Sequence, residues 1–227
     1  MGRPRRDARA AVGPVNADDF TAWIRRAAEL VAADADRLTR LDAAIGDGDH
    51  GHNMDRGFRA ATDAVSGGSL PEDAPPGKVL MIAGRAIVSK TGGASGPLYG
   101  TALRRAGKAL GDTADVDAAA LGAALRAALD GVRELGKANE GDKTMVDALA
   151  PAVAAYEAAL ADGSDLAGCA RAAAGAAGEG AEATVPMQAR KGRASYLGPR
   201  STGHLDPGAA STALVLGALA DVVAQGG

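Results

Sequence analysis

The chain has 227 residues, 47% of them apolar but only 3% aromatic, with a formal net charge of -3 at pH 7. That length can bury a real core, as one large domain or two small ones, and the acidic balance gives no electrostatic case for binding nucleic acid. The single Cys169 allows no internal disulfide and fits a reducing, cytoplasmic setting.

Residues 1–15, "MGRPRRDARAAVGPV", carry Arg3, Arg5, Arg6 and Arg9 without an apolar run of signal-peptide length, and read as a disordered basic tail. No later segment reads as a membrane span. Asn16 followed by Asp19 has the pattern of an N-cap with an acid at the third helical position. Phe20, Trp23, Ile24, Ala27, Leu30, Val31 and Leu38 then recur at helical spacing, which predicts a helix over about 17–40. "LDAAIGDGDHGHN" follows. Asp and Gly are ordinary turn residues, so a solvated turn is its plainest reading. As ligands, however, Asp42, Asp47 and Asp49 offer only hard oxygens, with no second Cys and no His-x-x-x-His pair beside them. Such a set favours magnesium over zinc or copper.

Helices are predicted next over about 51–65 and 77–90, parted by "SGGSLPEDAPPG". In "KTGGASGPLYG" the glycines permit close backbone approach, and Ser95 opens a helix whose free N–H groups attract anions, a plausible phosphate cradle. Helices over 96–110 and 117–136 lead to "GKANEGDKT", 136–144. That stretch resembles a P-loop, but Asp142 stands between its second glycine and its lysine and no strand precedes it, so a P-loop is rejected. Helices over 145–161 and 164–184 follow, the latter with Cys169 as a buried, inert thiol, and Pro186 ends it. In "RKGRASYLGPRSTGHLDPGA" Arg193 supplies a cation. Asp206 begins the last helix, 208–224, either capping it or accepting from a ribose or base. His50, His52 and His204 read equally as structural groups or as ligand contacts.

Eight helices and no alternating strand pattern make the chain all-α, with residues 16–227 as one helical domain. Short connections in an antiparallel bundle alternate between its ends, so several glycine-rich loops can meet and build a site. Their combined chemistry is that of a magnesium nucleotide.

The segments "GDGDHG" at 46–51, "GGASGPLYG" at 92–100, "GDKTMVDAL" at 141–149 and "RKGRASYLGPRSTGHLDPGA" at 190–209 resemble, in this order, the nucleotide-binding L subunits of dihydroxyacetone kinase, DhaL. The last of them is the most specific. This resemblance implies an eight-helix antiparallel barrel whose loop end binds ADP or ATP with two magnesium ions held by Asp42, Asp47 and Asp49. It sets His50, Gly51, His52, Asn53, Ala94 and Ser95 against the phosphates. Gly136, Met145, Arg193, Asp206, Pro207 and Gly208 would complete the pocket.

The resemblance also implies a phosphotransferase that works with other chains. With 227 residues there is no room for the fused substrate domain of the ATP-dependent members. Bound ADP would then be rephosphorylated by a DhaM-like phosphocarrier and would pass its phosphoryl group to dihydroxyacetone on a DhaK-like subunit. The alternatives are a subunit of an ATP-dependent kinase for dihydroxyacetone or another short ketose, and a regulatory module acting on a transcription activator. Self-association into a homodimer stays open. The basic amino-terminal tail lies outside the resemblance.

Overall fold

The computed structural model describes residues 13–225 apart from 68, 69 and 72. Among these residues the chain forms eight α-helices and no strand: α1 Ala17–Ile45, α2 His50–Ser66, α3 Pro76–Lys90, α4 Ser95–Leu110, α5 Ala118–Gly136, α6 Val146–Ala161, α7 Leu166–Ala183 and α8 Pro207–Gln225. A 3-10 segment, Arg193–Ser201, lies between α7 and α8.

The first helix starts as its sequence predicts. The Asn16 side chain accepts from the N–H groups of Asp18 and Asp19, and the Asp19 carboxylate answers the Asn16 N–H at 2.8 Å. It ends later than predicted, because "LDAAI" contains no helix breaker and the first glycine is Gly46, whose N–H caps the Asp42 carbonyl. Asp42 therefore stands in the last turn of a helix and not in a loop. The amino-terminal boundary also moves. Val15 is buried and exchanges two backbone hydrogen bonds with Val116, at 2.9 and 2.8 Å, so the ordered domain begins before residue 16. Residues 1–12 of the expected tail lie outside the described residues.

Each helix packs on its neighbours in sequence, and α8 returns to α1, which closes the eight into a ring. The connections after α1, α3, α5 and α7 all line one cavity. The odd-numbered helices therefore end where the even-numbered ones begin, and the ring is antiparallel. One hydrophobic core draws on all eight helices. Trp23 meets Phe20 edge-on and donates from Nε1 to the Val215 carbonyl at 2.9 Å, joining α1 to α8.

With few aromatic residues, the helices approach closely. One such contact lies between α3 and α4, where Gly84 faces the Gly100 carbonyl and Gly100 faces that of Gly84, with Gly77 and Gly107 paired the same way further along. The helix α8 is long and apolar enough to cross a membrane, but 61% of its apolar 18-residue stretch is buried inside the protein. Its hydrophobicity is that of a core helix.

Candidate functional site

At the loop end, the last turn of α1 and the first of α2 are joined by Gly46–Asp49. One oxygen of Asp42 accepts from the N–H groups of Asp49 at 2.9 Å and His50 at 3.2 Å, folding the turn back over the helix end. Gly48 sits at φ +73, and a Cβ on Gly46 would overlap the other Asp42 oxygen, so both glycines serve the turn. Asp49 precedes α2 without capping it through its side chain, which leaves its carboxylate uncommitted.

The ligand oxygens of Asp42, Asp47 and Asp49 all lie within 4.8 Å of one another. At about 4 Å and an effective dielectric of 20, each such pair repels by roughly 4 kcal/mol. Arg193 offsets part of this by pairing with Asp47 at 3.0 Å. An open, all-oxygen set of this kind suits magnesium, which keeps waters or phosphate oxygens as further ligands.

Beside the carboxylates, Gly92, Gly93 and Ala94 lead into α4 at Ser95, so the free N–H groups of a helix start face the cavity. Ser95 Oγ lies 3.0 Å from His50 Nδ1, and His50 Nε2 lies 2.9 Å from Ser211 Oγ. The Tyr99 hydroxyl continues the chain, 2.8 Å from both Ser211 Oγ and Thr212 Oγ1. Burial pushes the His50 pKa down against the pull of Asp42 and Asp49, and pushes that of Tyr99 up to about 12. Neutral hydrogen-bonding groups thus run from the cradle into the core.

The cavity, of about 290 Å³, joins this polar end to an apolar one formed by Leu98, Val132, Gly136, Ala138, Met145 and Val146. Arg193, Asp206, Pro207 and Gly208 complete its wall. Of the two roles open to Asp206, the structure shows capping: its Oδ2 accepts from the Ala209 N–H at 2.8 Å. Burial pushes its carboxyl up to about 7.

The loops thus bring together Asp42, Asp47, Asp49, His50, Ala94, Ser95, Gly136, Met145, Arg193, Asp206, Pro207 and Gly208. Gly51, His52 and Asn53 do not line the cavity, because α2 has already begun and successive side chains turn away by about 100°. Gly51 packs against the Ala35 carbonyl with no space for a Cβ. His52 is exposed. Asn53 is buried against Gly92 and accepts from Arg56 at 2.5 Å. The His204 side chain is also exposed, and its carbonyl accepts from Lys143. Sequence reasoning missed Tyr99, Lys143 and, in the apolar wall, Leu98, Val132, Ala138 and Val146. A helical tyrosine and scattered Leu, Val and Ala carry no local signal, whereas Lys143 stood in the rejected P-loop look-alike.

Residues 44–221 match the family model of the DAK2 domain. The chain is 40% identical over 200 residues to the PEP-dependent dihydroxyacetone kinase, ADP-binding subunit DhaL, of Escherichia coli (strain K12), covering 87% of this chain and 93% of that protein. It is 43% identical over 198 residues to the ADP-binding subunit DhaL of PEP-dependent dihydroxyacetone kinase 1 of Listeria innocua, covering 87% and 92%. To the D-erythrulose kinase of Mycolicibacterium smegmatis it is 42% identical, but spans 34% of that enzyme. The crystal structure of the dihydroxyacetone kinase from C. freundii in complex with AMP-PNP and Mg2+ matches with a TM-score of 0.68 and 28% identity, over 97% of this chain and 37% of that one.

Proposed function

This chain belongs to the DAK2 domain family, and from that membership we propose that it is the cytoplasmic nucleotide-holding subunit of a dihydroxyacetone kinase of the DhaL type. The observation that carries the reading is the cavity itself. Three carboxylates stand at one end of it, a helix start lies beside them, and an apolar slot lies beyond. That sequence of environments fits metal, phosphates and base in turn.

When bound, two magnesium ions held by Asp42, Asp47 and Asp49 would neutralise phosphate charge as the phosphoryl group transfers. Ser95 and the Ala94 backbone would receive the phosphates, with Ser95 oriented by His50. The N-terminal turn of α2, from His50 through Asn53, would add its backbone dipole. Arg193 would lie over the phosphates as a further cation. Gly136 and Met145 would flank the base, with Asp206, Pro207 and Gly208 shaping the wall at the start of α8.

No covalent carrier is required of this chain, and both ring nitrogens of His50 are already engaged by hydroxyls. Substrate and donor then belong to partners. A DhaK-like subunit would present dihydroxyacetone, and a DhaM-like phosphocarrier would rephosphorylate ADP that stays bound. The similarity to a D-erythrulose kinase supports a second reading, an ATP-dependent kinase subunit for a short ketose.

Phosphoryl transfer from labelled phosphoenolpyruvate, with carrier and substrate subunits added one at a time, tests the assignment. Product should form only when all are present, with no exchange of bound ADP for added ATP. Dihydroxyacetone phosphate made from ATP by the isolated chain would overturn the division of labour. Rapid ADP exchange would select the ATP-dependent reading.

A further inference from the structure

The lysine of the P-loop look-alike is 1% exposed, although an ammonium is costly to bury without partners. Its backbone holds φ at 61, a left-handed conformation uncommon outside glycine. The partners are two main-chain carbonyls: Lys143 Nζ donates to that of Thr184 at 2.8 Å and to that of His204. These carbonyls stand at opposite ends of one excursion, which leaves α7, coils through the 3-10 segment bearing Arg193, and returns to α8.

Further bonds close the same neck. The Gly203 N–H donates to the Val185 carbonyl at 2.7 Å, and the Asp206 N–H to Thr184 Oγ1 at 2.9 Å. The Arg190 N–H donates to the carbonyl of Asp142, the residue before the lysine, at 3.0 Å. Within the 3-10 segment only Ala194 and Ser201 are buried, so packing alone anchors it weakly. Residues 142–143 therefore tie the α5–α6 connection, which forms one wall of the cavity, to the loop that forms another.

We propose that Lys143 is a positioning residue, whose ammonium clasps the neck of the 184–204 loop to the α5–α6 connection and so sets where Arg193 stands over the cavity. This rests on the reading of Arg193 as a nucleotide contact. Lys143 also borders the cavity. A direct contact with the nucleotide is therefore the rival explanation, and a double-mutant cycle separates the two.

Magnesium-ADP affinity is measured by titration calorimetry for the unmodified chain, Arg193→Ala, Lys143→Met and the double variant. Arg193→Ala should weaken binding roughly 10- to 100-fold. Lys143→Met should weaken it by a similar factor, and the double variant should be no worse than either single one, because a mispositioned Arg193 has nothing left to lose. Multiplied losses would mean that Lys143 acts independently of Arg193, and would overturn the proposal.

A second measurement needs no substitution and no nucleotide. Amide hydrogen exchange of the unmodified chain should show Arg190 and Gly203 protected like the α6 core, with Tyr196 exchanging much faster. Equal rates at the three positions would show the neck open and sink the clasp even if Lys143→Met fails to fold. If Arg193→Ala alone leaves affinity unchanged, the nucleotide reading of Arg193 fails separately.

Discussion

Asp47 and Arg193 form an ion pair whose side chains are 40% and 69% exposed, a setting in which such pairs contribute about 0–1 kcal/mol. Asp47→Asn should therefore leave the denaturation midpoint nearly unchanged while markedly weakening magnesium-ADP binding, because the amide keeps the shape and loses an anionic ligand. Unchanged ADP affinity in calorimetry would remove Asp47 from the metal site. Asp206 behaves oppositely, since it is buried. Its folded pKa of about 7 lies above the ordinary 3.8, so the native state binds the extra proton and stability falls as pH rises from about 4 to 7. The share lost between pH 5 and 7 is on the order of 2 to 3 kcal/mol. Asp206→Asn, which keeps an acceptor for the Ala209 N–H, should flatten that slope in urea melts. A variant as pH-dependent as the parent would assign the slope elsewhere.

At the scale of elements, the α3–α4 contact is set by absent side chains. A Cβ on Gly100 would lie 2.7 Å from the Gly84 carbonyl, and one on Gly84 would lie 2.8 Å from that of Gly100. Alanine gains up to about 1 kcal/mol over glycine in a helix interior, but overpacking typically costs about 1–3 kcal/mol. Gly100→Ala should thus destabilise, while Gly175→Ala, on α7 with open space around it, should stabilise by about 0.5–1 kcal/mol. Thermal melts of the two variants check the contrast, and stabilisation by both would mean that α3 and α4 separate easily. Here the sequence was informative about the existence of every helix and, to within two residues, about every limit except the end of α1. Every α-helix was legible from its 3.6-residue periodicity and the Gly and Pro breaks around it. The end of α1 was not, because Asp42 looks like loop when read with the aspartates after it, and a helix dipole leaves no compositional mark. The 3-10 segment was equally hidden, since "RASYLGPRS" has no period that local reading can count. In the site, side chains that share a short motif were separated by helical geometry, as Gly51, His52 and Asn53 show, whereas Asp42, Asp47 and Asp49 met as their chemistry implied.

For the whole molecule, the site is a property of ring closure, because no single helix pair contains it. Its walls come from the connections after α1, α3, α5 and α7, and packing right round from α1 to α8 helps to hold those helices in register. A ligand spanning the cavity bridges all four connections, so binding and folding should be linked. With ADP and magnesium at about a hundred times the dissociation constant, linkage adds about 2.7 kcal/mol. For a domain of this size that corresponds to a rise in Tm of roughly 5 to 11 °C. Chelation should reverse most of the rise, since the clustered carboxylates and the phosphates then repel one another directly. High salt with magnesium kept should reverse much less, because a metal in direct contact with carboxylate and phosphate oxygens is little screened, whereas separated, exposed charges lose most of their interaction once the Debye length falls to about 3 Å at 1 M salt. The measurement is a melting series on the purified chain, after EDTA, and after adding back ADP with magnesium. If EDTA leaves Tm unchanged and releases no nucleotide, metal and nucleotide are not jointly resident in this cavity. A shift that high salt abolishes as fully as EDTA does would instead point to loose anion binding at Arg193 in place of a metal-bridged site.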